Sequence, residues 1–170
     1  VGTGVDITAS AITGINGGVG WLATDVGRQI YFNSGYATIT ARTSATVAVA
    51  TVTTAFTNAN AIAAWQLGSF SDTTGHPSCV TFFEQRLVFA GTTDQPQTIF
   101  FSKSGDYENM DENIGGTVAD DDAMVYTIAS NQVNAIRFMT ATRTLIIGTA
   151  GGEFTVSGGG TDSAVTPTNI

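Results

Sequence analysis

The run Val80-Thr81-Phe82-Phe83-Glu84-Gln85-Arg86-Leu87-Val88-Phe89-Ala90-Gly91-Thr92 reads as two segments rich in β-branched and aromatic residues, joined by a short polar corner. Such segments suit a pleated, half-buried surface, and the pair predicts two antiparallel strands. The pattern returns further on, in Ile136-Arg137-Phe138-Met139 followed by Arg143-Thr144-Leu145-Ile146-Ile147-Gly148-Thr149. Arg86 and Arg143, Gly91 and Gly148, and Thr92 and Thr149 all stand at one offset of 57 residues (143 minus 86). Each copy runs on into another strand, Ile99-Phe100-Phe101-Ser102 in the first and Glu153-Phe154-Thr155-Val156 in the second. Strand, turn, strand ending in Gly-Thr, turn and third strand is the rhythm of a propeller blade, whose repeats run about 40–50 residues. Two hairpins of a β-sandwich would give the same spacing. A propeller closes with about four blades or more. The two visible here predict an incomplete, propeller-like array over residues 77–170, with repeats at about 79–106 and 135–158.

Upstream the signals are also those of strands. Val5, Ile7 and Ala9 alternate with polar residues, as a half-buried strand requires. Residues 29–32 and 36–41 read as strands around an Asn33-Ser34-Gly35 turn, and the alternation through Val47, Val49 and Thr51 follows a Thr43-Ser44-Ala45 corner. Trp65-Gln66-Leu67 reads as a short closing strand. A set of this size is expected to curl into a small antiparallel β-barrel over residues 1–69. The Ala-rich stretch 58–64 is the one helix candidate and is too short to stand alone. Ser71-Asp72-Thr73-Thr74-Gly75-His76-Pro77 is turn chemistry throughout, so residues 70–76 are expected to form a linker. The chain starts at Val1 without methionine and stops at Ile170 without a closing signal, and both ends are expected to be cuts through something longer.

Composition narrows the function. Hydrophobic residues make up 42% of the 170, enough for a buried core, and charged residues only 12% against roughly 25% in typical soluble domains. The net charge of −8 comes with six scattered basic residues, which do not supply the clustered cations needed to grip nucleic acid. The acidity falls mostly after His76, in Asp106, Glu108, Asp111, Glu112 and the run Asp120-Asp121-Asp122. This is either a solvated face or a surface that repels polyanions. Cys79 is alone, so no internal disulfide forms. No stretch approaches the roughly 18 apolar residues of a membrane span, and no membrane insertion is expected.

Each possible reactive constellation has a simpler structural explanation. Ser71, Asp72 and His76 lie within one short loop, whereas a catalytic triad converges from separate elements beside an oxyanion hole. The aspartates at 120–122 are contiguous, unlike the alternate ligands of a calcium loop. Gly17-Gly18-Val19-Gly20 and Gly148-Thr149-Ala150-Gly151-Gly152 lack the lysine and helix of a phosphate loop and read as turns needing positive φ. Glu84, Glu108 and Glu153 are carboxylates that nothing in the sequence pairs at glycosidase separation. Arg86 and Arg143 are expected to hold a neighbouring carboxylate or carbonyl through the guanidinium fork. Phe82, Phe89, Phe101 and Phe154 read as core. No catalytic, cofactor-binding or metal-ligating residue is expected.

A family resemblance runs through Trp65-Gln66-Leu67-Gly68-Ser69-Phe70-Ser71, Gly75-His76-Pro77, the run Val80 to Thr92 quoted above, and Gln95-Pro96-Gln97-Thr98-Ile99-Phe100-Phe101-Ser102-Lys103-Ser104-Gly105-Asp106-Tyr107. It continues in Ala129-Ser130-Asn131-Gln132-Val133-Asn134-Ala135-Ile136 and in residues 145–154. These resemble the tail nozzle, or tail tubular protein B, family of short-tailed bacteriophages and prophages. Asp25-Val26-Gly27-Arg28 and the strands that follow resemble a small β-barrel insert preceding that segment. The resemblance implies a structural virion protein. Copies form a ring below the portal and adaptor, enclose the channel through which DNA passes without specific binding, and support tail fibres. No catalytic residue carries over, and the chain is far shorter than a complete nozzle.

The resulting expectation is a fragment of a phage tail nozzle whose acidic loops, residues 106–112 and 120–122, keep sliding DNA from sticking. Two other classes stand beside it. One is a tail adhesin recognising host glycans through exposed aromatics such as Trp21, Tyr31 and Tyr36. The other is a capsule-degrading enzyme, for which the sequence offers no convincing acid pair.

Overall fold

The computed structural model describes residues 2–130, 134–159 and 163–170. The Asn131-Gln132-Val133 part of the family resemblance lies outside them. The chain is all-β, as expected, with three antiparallel sheets. It divides into two units, Val1–Thr74 and Gly75–Ile170.

The first unit is one five-stranded sheet in the order β1-β4-β3-β2-β5. Its strands are β1 (Val5–Thr8), β2 (Gln29–Phe32), β3 (Gly35–Arg42), β4 (Val47–Thr54) and β5 (Gln66–Leu67). Asn33 and Ser34, both at positive φ, make the two-residue turn between β2 and β3, a geometry whose twist matches that of the strands it joins. Alternation in β4 buries Ala48, Ala50 and Val52. They pack with Ile15, Trp21, Ile30, Ala37 and Ile39 into a core of their own.

No barrel closes here. Among the described residues β1 pairs only with β4 and β5 only with β2. The edge strands have four residues and two, too short to provide the tilt and stagger that closure demands. The Ala-rich stretch 58–64 forms no helix. The division between the units falls within residues 70–76, and hydrogen bonds order the start of that segment. The Ser71 hydroxyl accepts from the amides of Thr73 and Thr74 at 3.2 and 3.1 Å, and the Thr74 hydroxyl donates to the Ser69 carbonyl at 2.6 Å.

The second unit holds two antiparallel meanders. The first is β6 (Cys79–Phe83), β7 (Arg86–Ala90), β8 (Thr98–Phe101) and β9 (Met124–Thr127), each paired to the next. The other is β10 (Ile136–Ala141), β11 (Leu145–Thr149) and β12 (Gly152–Val156). One hydrophobic core serves both: Phe83, Val88, Ala90, Ile99, Phe101 and Met124 from the first sheet meet Ile136, Leu145 and Ile147 from the second. Val165, from the segment after β12, completes it.

The 57-residue echo is real at the core and fails at the arginines. Val88 and Leu145 are both wholly buried, as are Ala90 and Ile147. The β6–β7 turn, however, is the two residues Glu84 and Gln85, both at positive φ, whereas three residues join β10 to β11. Arg86 therefore opens a strand, opposite Phe83, while Arg143 is left exposed in its turn. The second glycine run is also not a simple turn, since Gly148 and Gly152 are paired strand residues. Gly148 faces Phe138 across the ladder, and a Cβ there would lie 1.9 Å from the Phe138 ring. Gly17, Gly18 and Gly20 do hold positive φ. Phe82 is 60% exposed and so is not core. Strand alternation puts it with Val80 on the outer face of β6, where it meets the Tyr107 ring edge-on at 5.1 Å.

Candidate functional site

Arg86 is the chemical centre of the second unit. It sits on β7 and is 3% exposed. Its Nη1 donates to the carbonyl oxygens of Ser102 and Asp122 at 2.8 and 2.7 Å and, more weakly, to that of Asp121 at 3.4 Å. Its Nη2 donates to the carbonyl of Asp120 at 2.6 Å. The rigid fork thus holds the main chain of the Asp120-Asp121-Asp122 run, and not its carboxylates. Burial lowers the Arg86 pKa from its ordinary value, opposed by the charges of Asp121, Glu84 and Asp122. Four carbonyl dipoles and nearby carboxylates keep the cation stable where water is scarce.

The carboxylates of that run meet a second cation. Lys103 Nζ lies 3.1 Å from an oxygen of Asp121 and 3.1 Å from one of Asp122. The other Asp122 oxygen accepts from the Ala119 amide at 2.8 Å and from the Asn113 side-chain amide at 3.3 Å. Asp122 is buried, with 4% exposure. Burial alone would raise its pKa, but the Ala119 N–H, Lys103 and Asn113 outweigh it and hold the carboxyl below the usual range. Burial likewise opposes the charge on Lys103, and the two aspartates outweigh it, so its pKa is raised. Asp111 goes the other way. Its burial pushes its pKa up and Asp122 adds to that, against the Asn113 amide and Lys103, which pull it down.

The segment between β8 and β9 is therefore tied on both sides: Arg86 takes its backbone and Lys103 its side chains. The Ser104 amide also donates to the Asp121 carbonyl at 2.9 Å, and the Gly105 amide to the Gln85 carbonyl at 2.8 Å. Asp106, Glu108, Asp120 and Asp121 remain exposed. Sequence reading singled out Arg86 and the aspartates but missed Lys103 and Asn113. The signal was present, because Lys103 is the chain's one lysine and lies close to its densest acidic stretch. Arg143 does not join this group.

The first unit has a buried ionic cluster of its own. Asp25 is fully buried, and its carboxylate accepts from the Leu22 amide at 2.7 Å, the Asn16 side chain at 2.7 Å and Arg28 at 3.0 Å. Arg28 also donates to Asn16 Oδ1 at 3.0 Å and, through Nε, to the Gly68 carbonyl. This satisfied network pins the 3-10 turns Asn16–Gly18 and Ala23–Asp25 to the strand that follows. All of its groups are occupied by one another, which fits a structural role.

The aromatics expected to face solvent do not. Trp21, Tyr31 and Tyr36 are 1%, 2% and 4% exposed; Trp21 lies in the first unit's core, while Tyr31 and Tyr36, cross-strand partners with ring centroids 5.6 Å apart, lie on the opposite face of the sheet from Ile30 and Ala37. Ser71 is occupied in its own turn. Among the described residues, no three His, Cys, Asp or Glu side chains are grouped to hold a metal ion. No helix is long and apolar enough to cross a membrane. Neither the models of known protein families nor the curated proteins contain a match to this chain.

Proposed function

We propose that this chain is a non-enzymatic structural element of a bacteriophage tail, similar to the nozzle or tail tubular protein B of short-tailed phages. In this reading the two meanders of the second unit are blade-like sheets of an incomplete propeller. Copies assemble into a ring in the virion, contact the tail adaptor and fibres, and border the channel through which DNA leaves.

The observation that carries the proposal is the doubly anchored acidic loop. Arg86 fixes the backbone of residues 120–122 through three of their carbonyls, so the exposed carboxylates of Asp120 and Asp121 are displayed on an immobile frame. A channel wall that must let a polyanion slide needs fixed negative charge and no basic grip. A single core shared by successive antiparallel sheets favours shape-holding over motion. The sequence likeness from Trp65 to Tyr107 points the same way. Negative-stain imaging of the full-length protein mixed with its adaptor tests the reading: rings are expected, and persistent monomers would count decisively against it.

A further inference from the structure

The second unit carries two exposed aromatic patches of opposite charge. On the outer face of β6, Val80 and Phe82 are exposed, and the exposed Tyr107 meets Phe82 edge-on. Asp106 and Glu108, which flank Tyr107, are exposed as well. The Gly105 amide ties this stretch to Gln85 in the β6–β7 turn, and the Ser104 amide ties it to Asp121. The acidic loop is thereby held at the end of the sheet where Phe82 lies. The other patch is on β10. Ile136, Met139 and Ala141 pack into the core, while a register shift between Ile136 and Phe138 leaves two successive residues, Arg137 and Phe138, exposed. A bulge of this kind re-aims a side chain. The Phe138 ring lies over Gly148, where any Cβ would lift it, and it remains 49% exposed. Neither the Arg137 guanidinium nor the Asp106 carboxylate makes a hydrogen bond or ion pair with a described residue. Because Arg86 is buried and Lys103 is engaged by Asp121 and Asp122, Arg137 and Arg143 are the outward cations of this unit.

We infer that these two patches bind each other between copies of this chain, Phe138 and Arg137 of one copy docking on Phe82, Tyr107 and Asp106 of the next. Each patch supplies what the other lacks. Exposed rings gain from burial against further aromatic surface, and an arginine beside them is favoured both by ring faces and by a carboxylate. A purely apolar partner would desolvate Asp106 or Arg137 and return nothing to it. A polyanion would be repelled by the acidic loop. The patches lie on the outer faces of two sheets that enclose one core, so they point away from each other. The contact is therefore heterologous, and each docked copy keeps one patch open for another. This rests on the proposed assembly of copies and names the faces that join.

Sedimentation velocity of the full chain across micromolar to millimolar concentrations tests it. The parent is expected to self-associate, and to do so less at high salt. Phe82→Ser and Phe138→Ser should each weaken association about tenfold with thermal unfolding still cooperative. Should a serine variant not fold, charge reversal at exposed positions decides. Arg137→Glu and Asp106→Arg should each weaken association alone and recover it when mixed in equal amounts, because alternating copies then meet with opposite charges at every junction. Association that these variants leave unchanged, or that mixing does not restore, overturns the inference and leaves the ring to other faces. A parent that stays monomeric throughout overturns it too, and imaging with the adaptor then decides the ring separately. Binding of an Arg-Phe-Met-Thr peptide by a monomeric parent would give the acidic patch to a foreign basic partner and likewise overturn it.

Discussion

Arg86 donates to the main-chain carbonyl of Asp122 at 2.7 Å, while the Asp122 carboxylate turns to Lys103 at 3.1 Å. One aspartate thus serves two cations, through its backbone and its side chain. The acidic loop between β8 and β9 is held by this division of labour.

Replacing Arg86 with Ala should be severe. It leaves the buried carbonyls of Ser102 and Asp122 short of a donor, at about 1–3 kcal/mol for each group left unsatisfied, and frees the part-buried carbonyl of Asp120 as well. The second unit should lose about 3 kcal/mol or more in urea unfolding. Arg86→Lys should recover only part, because a point charge cannot reproduce the fork. Arg143→Ala, at an exposed turn, should change stability by about 0.5 kcal/mol or less. Equal effects at the two arginines would refute the clamp.

The loop should respond to pH with opposite signs at two aspartates. The folded-state pKa of Asp122 is lowered, so its contribution is present above the ordinary aspartate value of about 3.9 and is lost as pH falls through the folded value. Asp111 is raised. The native state holds its proton more tightly, and stability therefore falls as pH climbs from about 3.9 to the folded value. Asp111→Asn should thus stabilise the chain near neutrality, where the native state carries the cost of the buried charge. Asp122→Asn should destabilise it. Chemical denaturation of both variants from pH 3 to 8 (about one pH step at a time) reads the two slopes.

Two neighbouring glycines should behave very differently. Gly17 and Gly20 both hold positive φ, but a Cβ on Gly17 meets nothing within 4 Å, whereas one on Gly20 would lie 2.3 Å from the Ala45 carbonyl oxygen. That oxygen already accepts from the Trp21 amide. Gly17→Ala should cost about 1 kcal/mol through strain alone. Gly20→Ala should cost well over that, about 3 kcal/mol, by displacing backbone beside the buried Trp21. Thermal melts followed by tryptophan emission separate the two.

The segment that follows β12 should be integral to the second unit. Val165 is buried in its core, its amide donates to the Glu84 carboxylate at 2.6 Å, and the Tyr126 hydroxyl donates to the Pro167 carbonyl at 2.9 Å. Val165→Asp should release the segment, since an unpaired buried charge is far costlier than undocking. Limited proteolysis should then clip the variant near its end at protease levels that leave the parent whole. Equal resistance would show that the docking is dispensable.

What could be read from the residues follows from how local each feature is. Strands β2, β3, β4, β6 and β7 are visible as alternating or β-branched runs, because side-chain direction in a strand depends only on the parity of position. The Arg86 fork was foreseeable as a motif, but its partners were not: the Ser102 and Asp122 carbonyls lie 16 and 36 residues away. The repeat offset misled at Arg143 because a single extra turn residue moves a side chain out of the strand. The burial of Trp21, Tyr31 and Tyr36 was hidden for a similar reason, as burial depends on what covers a face.

The amino-acid order alone determined that this chain forms short antiparallel strands, where they turn, and that its surface is acidic. These properties reside in alternation, turn chemistry and charge, which act over a few residues. Only the folded arrangement decided that the first sheet stays open, that two meanders share one core, and that one arginine of the matching pair is a buried clamp while the other sits in an exposed turn. Those outcomes depend on strand pairing and desolvation between segments far apart along the chain.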